Sequence, residues 1–121
     1  MNKLLKPQIN QGEYVFVLID EIDKINQDDI LCSFKENGKY SLIVKKEYAD
    51  KHNLSYDFIA AWISLGLNSS LDSVGLTYKF SRALAEQKIS CNVIASYNHD
   101  HIFVKYNNKE KAFKILNELK L

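Results

Sequence analysis

The order of hydrophobic patterns in residues 58–121 is the feature that most constrains the fold of this chain. Residues 58–67 alternate apolar side chains with the period of a strand, and residues 76–87 carry an apolar stripe at helical spacing. Strand-like runs at 91–97 and 102–106 flank a polar turn, and a second helical stripe lies at Ala112, Ile115, Leu116 and Leu119. This order predicts an α+β sandwich of the ferredoxin-like type that lacks one strand.

The first half of the chain supplies candidates for the missing strand. Tyr14–Ile19 is a continuous β-prone run, typical of a strand buried on both faces, and is the simplest choice. The turn-prone segment Asn10–Gly12 is expected to separate it from an irregular lead-in. Strands are also predicted over Ile30–Phe34 and Tyr40–Val44, because the intervening Asn37-Gly38 is a strong hairpin signal.

Each half therefore contains a hairpin followed by a helix, and in the first half that helix is predicted over Lys45–Asn53. We expect an N-terminal domain over residues 1–56 that is modified or incomplete, and a C-terminal domain over residues 57–121. The two are expected to share one compact unit.

Composition places limits on the function. A formal net charge of +1 without a dense basic run argues against a nucleic-acid partner. No apolar stretch approaches the roughly 20 residues of a membrane span, and Met1–Pro7 lacks the apolar core of a secretory signal. Cys32 and Cys91 lie in apolar, strand-like runs, which favours reduced, buried thiols in a cytoplasmic protein and leaves a disulfide between them open.

The junction between the strand at 58–67 and the helix at 76–87 is the best candidate site. Ser70 is predicted to cap the helix, with Asp72 in its first turn, and the hydroxyls of Ser69 and Ser70 join free backbone amides that suit a carboxylate. Gly75 would permit close approach by a ligand or another backbone. The alternative is that Ser70 only caps the helix and Gly75 only lets it pack tightly.

Four segments together resemble ACT domains, and in particular a small bacterial family of tandem ACT-like proteins. They are Gly12–Phe16, Ser69–Thr77, Ser90–Ala95 and His99–Val104. The resemblance implies a duplicated ferredoxin-like sandwich, with an antiparallel sheet, helices on one face and a modified N-terminal copy. It also implies a homodimer.

ACT domains often bind an amino acid where the first strand meets the first helix, against the second strand of another copy. In this sequence the resemblance maps that site onto Asn68, Ser69, Ser70, Leu71, Asp72, Val74, Gly75 and Thr77, with Asn92 and Ile94 from the second strand. We therefore expect a non-enzymatic, regulatory module without a cofactor that binds an amino acid or similar metabolite. An attached enzyme, which ACT domains usually regulate, is not expected in a chain of this length.

Two alternatives stay open. The chain could be a structural or protein-interaction module without a ligand, pairing through an exposed sheet edge. His99 and His101 share a face if extended, so they could also hold a metal ion for a metal-dependent enzyme. A zinc site would need another ligand, and neither His52 nor the cysteines stand at a recognisable ligand spacing.

Overall fold

The structure is a computed structural model that describes residues 4–121. Its strands are β1 (Pro7–Ile19), β2 (Ile30–Glu36), β3 (Lys39–Lys45), β4 (Ile59–Leu65), β5 (Asn92–Ala95) and β6 (Asp100–Lys105). Its α-helices are α1 (Lys46–Lys51), α2 (Leu76–Glu86) and α3 (Lys109–Glu118). Within residues 4–121, no helix is long and apolar enough to cross a bilayer.

The chain divides into two compact units whose boundaries fall inside β1 and β4. The N-terminal unit is Gly12–Ala60. The C-terminal unit joins the segment up to Gln11 to Ala61–Leu121. The domain limits expected from the sequence, 1–56 and 57–121, stay a prediction.

The C-terminal unit contains the strand order β1-β4-β6-β5. β5 and β6 are antiparallel, with Asn92 opposite Phe103 and Ala95 opposite Asp100. One face of these strands packs with α2 and α3 in a single core formed by Ala61, Ile63, Leu65, Phe80, Leu84, Ile102, Val104, Ala112 and Leu116. The alternation along β4 and both helical stripes are therefore confirmed, as is the ferredoxin-like sandwich with its helices on one face.

The N-terminal segment of the chain completes the C-terminal unit. Leu5 is only 1% exposed in its core, and the carbonyls of Lys6 and Leu5 accept hydrogen bonds from the amides of Gly66 at 2.8 Å and Leu67 at 3.0 Å. The part of β1 in this unit is residues 7–11.

Three sequence expectations about β1 were wrong. The turn at Asn10–Gly12 is absent, because Gly12 takes a φ of +110° at no steric cost and β1 continues through it. The missing strand is consequently residues 7–11, immediately upstream of the Tyr14–Ile19 segment that the hydrophobic pattern favoured. Burial of that segment on both faces was also wrong, since Leu18 is 57% exposed.

The N-terminal unit contains the strand order β2-β3-β1, and both pairs are antiparallel. The predicted hairpin is confirmed, because Asn37 and Gly38 take φ values of 47° and 80° between β2 and β3. The core of this unit joins side chains of β1 and β3 to α1, namely Val15, Val17, Leu42, Val44 and Ala49.

The connection after the first strand differs between the two units. β4 is followed by the 11-residue helix α2, whereas β1 is followed only by two short 3₁₀ helices, Ile22–Lys24 and Gln27–Asp29. Only Ile22 and Ile25 of this acidic, polar connection pack against the core. Because the segment has too few apolar residues for a helical stripe, it agrees with the expected modification of the N-terminal copy.

Candidate ligand cavity in the C-terminal unit

The loop from 66 to 75, between β4 and α2, is held by hydrogen bonds within the loop and to neighbouring segments of the chain. The amide of Ser69 donates to the carbonyl of Asn98 at 2.8 Å, and the amide of Ser73 donates to the carbonyl of Ser70 at 3.0 Å. The Ser70 hydroxyl oxygen accepts a bond from the amide of Asp72 at 3.1 Å. Together with the amides of Gly66 and Leu67, which donate to the carbonyls of Lys6 and Leu5, five amides of the loop are thus satisfied within the fold.

Helix α2 begins later than the sequence suggested. Its N-cap is Gly75, with a φ of +91°, and no side chain caps it among residues 4–121. The predicted N-cap role of Ser70 and the first-turn position of Asp72 were therefore wrong, because the Ser70 hydroxyl closes a turn inside the loop. A Cβ on Gly75 would meet nothing within 4 Å, so the glycine serves its backbone conformation rather than tight packing.

The start of α2 presents backbone donors that have no acceptor within the helix. The first hydrogen bond at this end of the helix runs from the amide of Lys79 to the carbonyl of Gly75, at 3.1 Å. The amides of residues 76–78 precede that bond, so they have no acceptor within the helix. These N–H groups and the helix dipole favour a negatively charged group at this end.

A cavity of about 220 Å³ lies against the loop and the start of α2. Five of the predicted residues line it, namely Asn68, Ser69, Ser70, Val74 and Gly75. Five that the sequence analysis did not select complete the wall, namely Leu67, Ser73, Leu76, Lys79 and Leu121. The structure thus adds a concave, largely polar space to the predicted corner.

Lys79 is the residue of chemical interest that sequence reasoning missed. It stands one helical turn after Gly75, and it is the one charged side chain of the wall. The sequence contained a signal for this position. If Gly75 is taken as the N-cap of the helix, Lys79 lies four residues later, on the same face of the helix as the loop.

The other predicted site residues lie elsewhere. Leu71, Asp72 and Thr77 are exposed and are not part of the cavity wall. Asn92 lies on β5, where its side-chain amide donates to the carbonyl of Phe103 at 3.3 Å, and Ile94 lies opposite His101 in the β5–β6 register. The structure does not bring either β5 residue into the cavity of the same chain, and their role against another copy stays a prediction.

His101 belongs to a polar network on the face of the sheet opposite the helices. Its Nδ1 lies 3.0 Å from Trp62 Nε1 and 3.2 Å from Ser64 Oγ. Ser64 Oγ also accepts a bond from the side-chain amide of Asn10 at 2.8 Å. Because an indole N–H can only donate, Nδ1 must accept and the neutral ring carries its proton on Nε2.

This network gives His101 a structural role. Within residues 4–121, no group of three or more His, Cys, Asp or Glu side chains could hold a metal ion. Burial lowers the pKa of His101, and His99 nearby lowers it further, while Asp100 acts in the opposite direction. Burial also raises the pKa of Asp100, which lies in β6 rather than in the polar turn where the sequence placed it.

We expect the free energy of unfolding to fall as pH decreases from about 7.5 to 5.5. The pKa of His101 is below its ordinary value of 6.5 in the folded protein, so the unfolded chain binds the proton first and unfolding takes up a proton. The stability that this group contributes is fully present above its ordinary pKa of 6.5. It is lost as the pH falls from 6.5 through the lower pKa of the folded state. Urea unfolding, followed by the fluorescence of the single tryptophan, measures the slope.

His101→Gln is the matched control, because its side-chain oxygen can still accept from Trp62 and does not titrate in this range. The slope of the free energy of unfolding against pH is compared between the two proteins. The difference between these slopes isolates the contribution of His101 from the opposing contribution of Asp100. Equal slopes would contradict the assignment.

Both cysteines are free thiols in the structure. Burial raises the pKa of Cys91 to about 11. Since the thiolate is the reactive form, Cys91 is an unreactive thiol at neutral pH.

Comparison with solved structures agrees with this fold. A protein of unknown function from Vibrio cholerae, described as a possible transport protein, has 34% sequence identity and a TM-score of 0.90, over 97% of this chain and 90% of that one. A protein from Agrobacterium tumefaciens has 16% identity and a TM-score of 0.76, over 94% and 87%. Aspartate kinase from Clostridium acetobutylicum has 14% identity and a TM-score of 0.63. That match covers 92% of this chain and 33% of the enzyme.

The family comparison covers both copies. No curated protein sequence matches the chain. Residues 58–118 match one family model described as an ACT domain, and residues 1–61 match another with the same description. The two matched ranges meet near the start of β4, as a tandem repeat requires. This chain therefore belongs to the ACT-domain family.

Proposed function

We propose that this protein is a regulatory module that binds an amino acid in the cavity beside α2. ACT domains are generally regulatory modules for small ligands, often amino acids, and they commonly form dimers. One of the solved structures of similar fold is described as an allosteric enzyme, an aspartate kinase. The observation that carries the proposal is the cavity of about 220 Å³ against an uncapped helix start.

The groups around the cavity suit the two ends of an amino acid. The amide of Leu76, which lines the cavity at the uncapped start of α2, would donate a hydrogen bond to the α-carboxylate. The ligand's ammonium group would donate to the hydroxyls of Ser69 and Ser73 and to the side-chain oxygen of Asn68, all of which line the wall. Each charged end of the ligand thus finds partners of the required type.

In the proposed mechanism the ligand acts by stabilising one state of the protein. Binding to the folded C-terminal unit raises its stability by mass action. We propose a homodimer as the working form. If the homodimer has two arrangements of its copies, the ligand shifts the equilibrium between them only by the difference in its affinity for the two arrangements. We further propose that the protein works in the cytoplasm, where Cys32 and Cys91 would stay reduced.

A thermal-shift series with the amino acids tests this function. A ligand present at about 100 times its Kd should add about 2.7 kcal/mol of stability, which raises the melting temperature by several degrees. Ser73→Leu should abolish the shift by filling the cavity, whereas Ser55→Leu on the exposed surface of the N-terminal unit should retain it. If no amino acid shifts the melting of the folded protein at millimolar concentration, the proposal is wrong.

A second candidate is a protein-interaction module, favoured by exposed apolar side chains on the same loop. Leu71 is 68% exposed and Val74 is 99% exposed. Replacing both with serine would disrupt association of copies, measured by sedimentation, if the loop serves as a contact surface. Association that is unchanged by this replacement would exclude the loop as that surface.

A further inference from the structure

The two units of this protein carry opposite net charges. The N-terminal unit, Gly12–Ala60, contains ten aspartates and glutamates against six lysines, so its side chains have a net charge of −4. In the C-terminal unit, residues 4–11 and 61–121 contain nine lysines and arginines against five aspartates and glutamates, a net charge of +4. The carboxylate of Leu121 reduces this value to +3 and does not change its sign. The chain is therefore nearly neutral only because two larger charges cancel.

The negative charge of the N-terminal unit is concentrated in the connection Asp20–Asp29, which holds five acids and one lysine. Two of these acids pair with lysines of the same unit, at 2.9 and 3.5 Å. The other three are exposed and have no ion pair within residues 4–121, and they are Asp23, Asp28 and Asp29. Apolar side chains of the same segment pack against the core of the unit. The acidic connection is therefore a defined part of the surface of this unit.

The positive charge of the C-terminal unit is concentrated in residues 105–120, which comprise α3 and its two ends. This basic segment holds five lysines and two glutamates. Lys105, Lys111 and Lys114 are exposed, and none of them forms an ion pair in the part of the chain that the structure describes. The opposite face of α3 packs in the core of the unit, so the basic segment is also a defined surface.

From these two surfaces we infer that the homodimer pairs the acidic connection of one copy with the basic segment of the other. The inference rests on the homodimer of the proposed function and adds its arrangement. Two-fold symmetry makes the reciprocal contact identical, so both surfaces of both copies meet a surface of opposite sign. A second copy fits these surfaces better than a partner of one sign, because this chain supplies both signs in nearly equal amounts.

Charge selects the arrangement of the copies more than the strength of their association. A dimer that paired like units would place negative against negative and positive against positive, and both contacts would be repulsive. One exposed ion pair contributes little to stability, so the selection depends on the summed field of several charges. Such a field is screened by salt, with a Debye length of about 10 Å at 0.1 M ionic strength. The arrangement therefore has a measurable salt dependence.

Sedimentation of the full chain at increasing NaCl concentration tests the arrangement. The dissociation constant of the dimer should rise at least about tenfold between about 50 mM and 500 mM NaCl, because screening removes the attraction between opposite units. A dimer of like units would instead be strengthened, since screening would remove repulsion. A dissociation constant that stays level or falls would overturn the inference and leave the homodimer intact.

Charge reversal gives a second test. The first variant reverses the three unpaired acids of the acidic connection, by Asp23→Lys, Asp28→Lys and Asp29→Lys. The second variant reverses three lysines of the basic segment, by Lys105→Glu, Lys111→Glu and Lys114→Glu. Each variant has two units of the same sign, so each should dimerise at least about tenfold more weakly than the wild type.

An equimolar mixture of the two variants should form a heterodimer, because each unit of one variant then meets a unit of opposite sign on the other. A mixture that stays monomeric would overturn the inference, as would a single variant that dimerises like the wild type. All six reversed side chains are exposed, so the melting temperature can confirm that each variant is folded.

The matched control reverses three exposed acids of the N-terminal unit outside the acidic connection, by Glu36→Lys, Glu47→Lys and Asp57→Lys. It changes the net charge of the unit by the same amount as the first variant and should weaken the dimer less. Equal weakening would overturn the placement of the contact on the acidic connection. A wild-type chain that is monomeric at every concentration would overturn the homodimer together with the inference. Amino-acid binding, measured by thermal shift, would stand or fall separately.

Discussion

Replacing Phe80 with alanine should lower the free energy of unfolding of the C-terminal unit by about 3–5 kcal/mol. Phe80 is fully buried on the inner face of α2, in the core that joins this helix to β4, β6 and α3. The loss combines the transfer free energy of the ring with the cavity that it leaves, since the packed neighbours relax only in part. Urea unfolding followed by Trp62, which lies in the same unit, gives the value.

Thr77→Ala is the control for this substitution. It removes an exposed side chain from the same helix, so the free energy of unfolding should change by less than about 0.5 kcal/mol. A loss below about 1 kcal/mol for Phe80→Ala, with an unchanged denaturant slope, would contradict the described packing of α2. The result also concerns the candidate site, because the position of α2 on this core forms one wall of the cavity.

Elements with short-range signals were predictable from the sequence. The alternation from Ile59 to Leu65 and the stripe through Phe80 and Leu84 depend only on spacing, and the structure buries the expected faces. Asn37-Gly38 is similarly local, since a two-residue turn needs positive φ at both positions and these residues tolerate it.

The assignment of residues 7–11 to the C-terminal unit was not predictable in this way. Local propensity around Asn10–Gly12 favours a turn, whereas the observed strand contacts residues more than 50 positions away, as in the bond from Asn10 to Ser64. No pattern within residues 1–12 shows that pairing, because tertiary partners decide strand placement.

The candidate site was predictable in location and not in detail. Serine preference at helix caps favoured Ser70, but the helix begins after a left-handed Gly75, and this shift of several residues determines which side chains face the cavity. As a consequence, Lys79 lines the cavity in the structure, whereas the predicted residues Asp72 and Thr77 do not. Cap positions are a weak local preference, and the loop's own hydrogen bonds overrode it.

A fragment of residues 57–121 should be largely unfolded on its own, although it contains all of residues 58–118, which match an ACT-domain model. It lacks Leu5 and Ile9, which pack in the core of the C-terminal unit, and the backbone bonds that Lys6 and Leu5 accept. Loss of a buried leucine alone costs about 2–5 kcal/mol, and a domain has about 5–15 kcal/mol in total. Removing residues 7–11 of β1 as well should remove most of the free energy of unfolding of the domain. Circular dichroism should therefore show little cooperative unfolding.

A permuted variant separates this explanation from general fragility of the fragment. Residues 61–121 would be followed by a short glycine-serine linker and then by residues 4–11, which restores the strand after α3. The linker can be short because Lys120 and Leu4 already form an antiparallel bridge. This variant should unfold cooperatively, and its Leu5→Ala version should lose about 2–5 kcal/mol. Cooperative folding of the 57–121 fragment, equal in stability to the permuted variant, would show that the N-terminal segment is dispensable. The opposite result would mean that the cavity beside α2 exists only in a chain that keeps its first residues, so binding experiments must use the full chain.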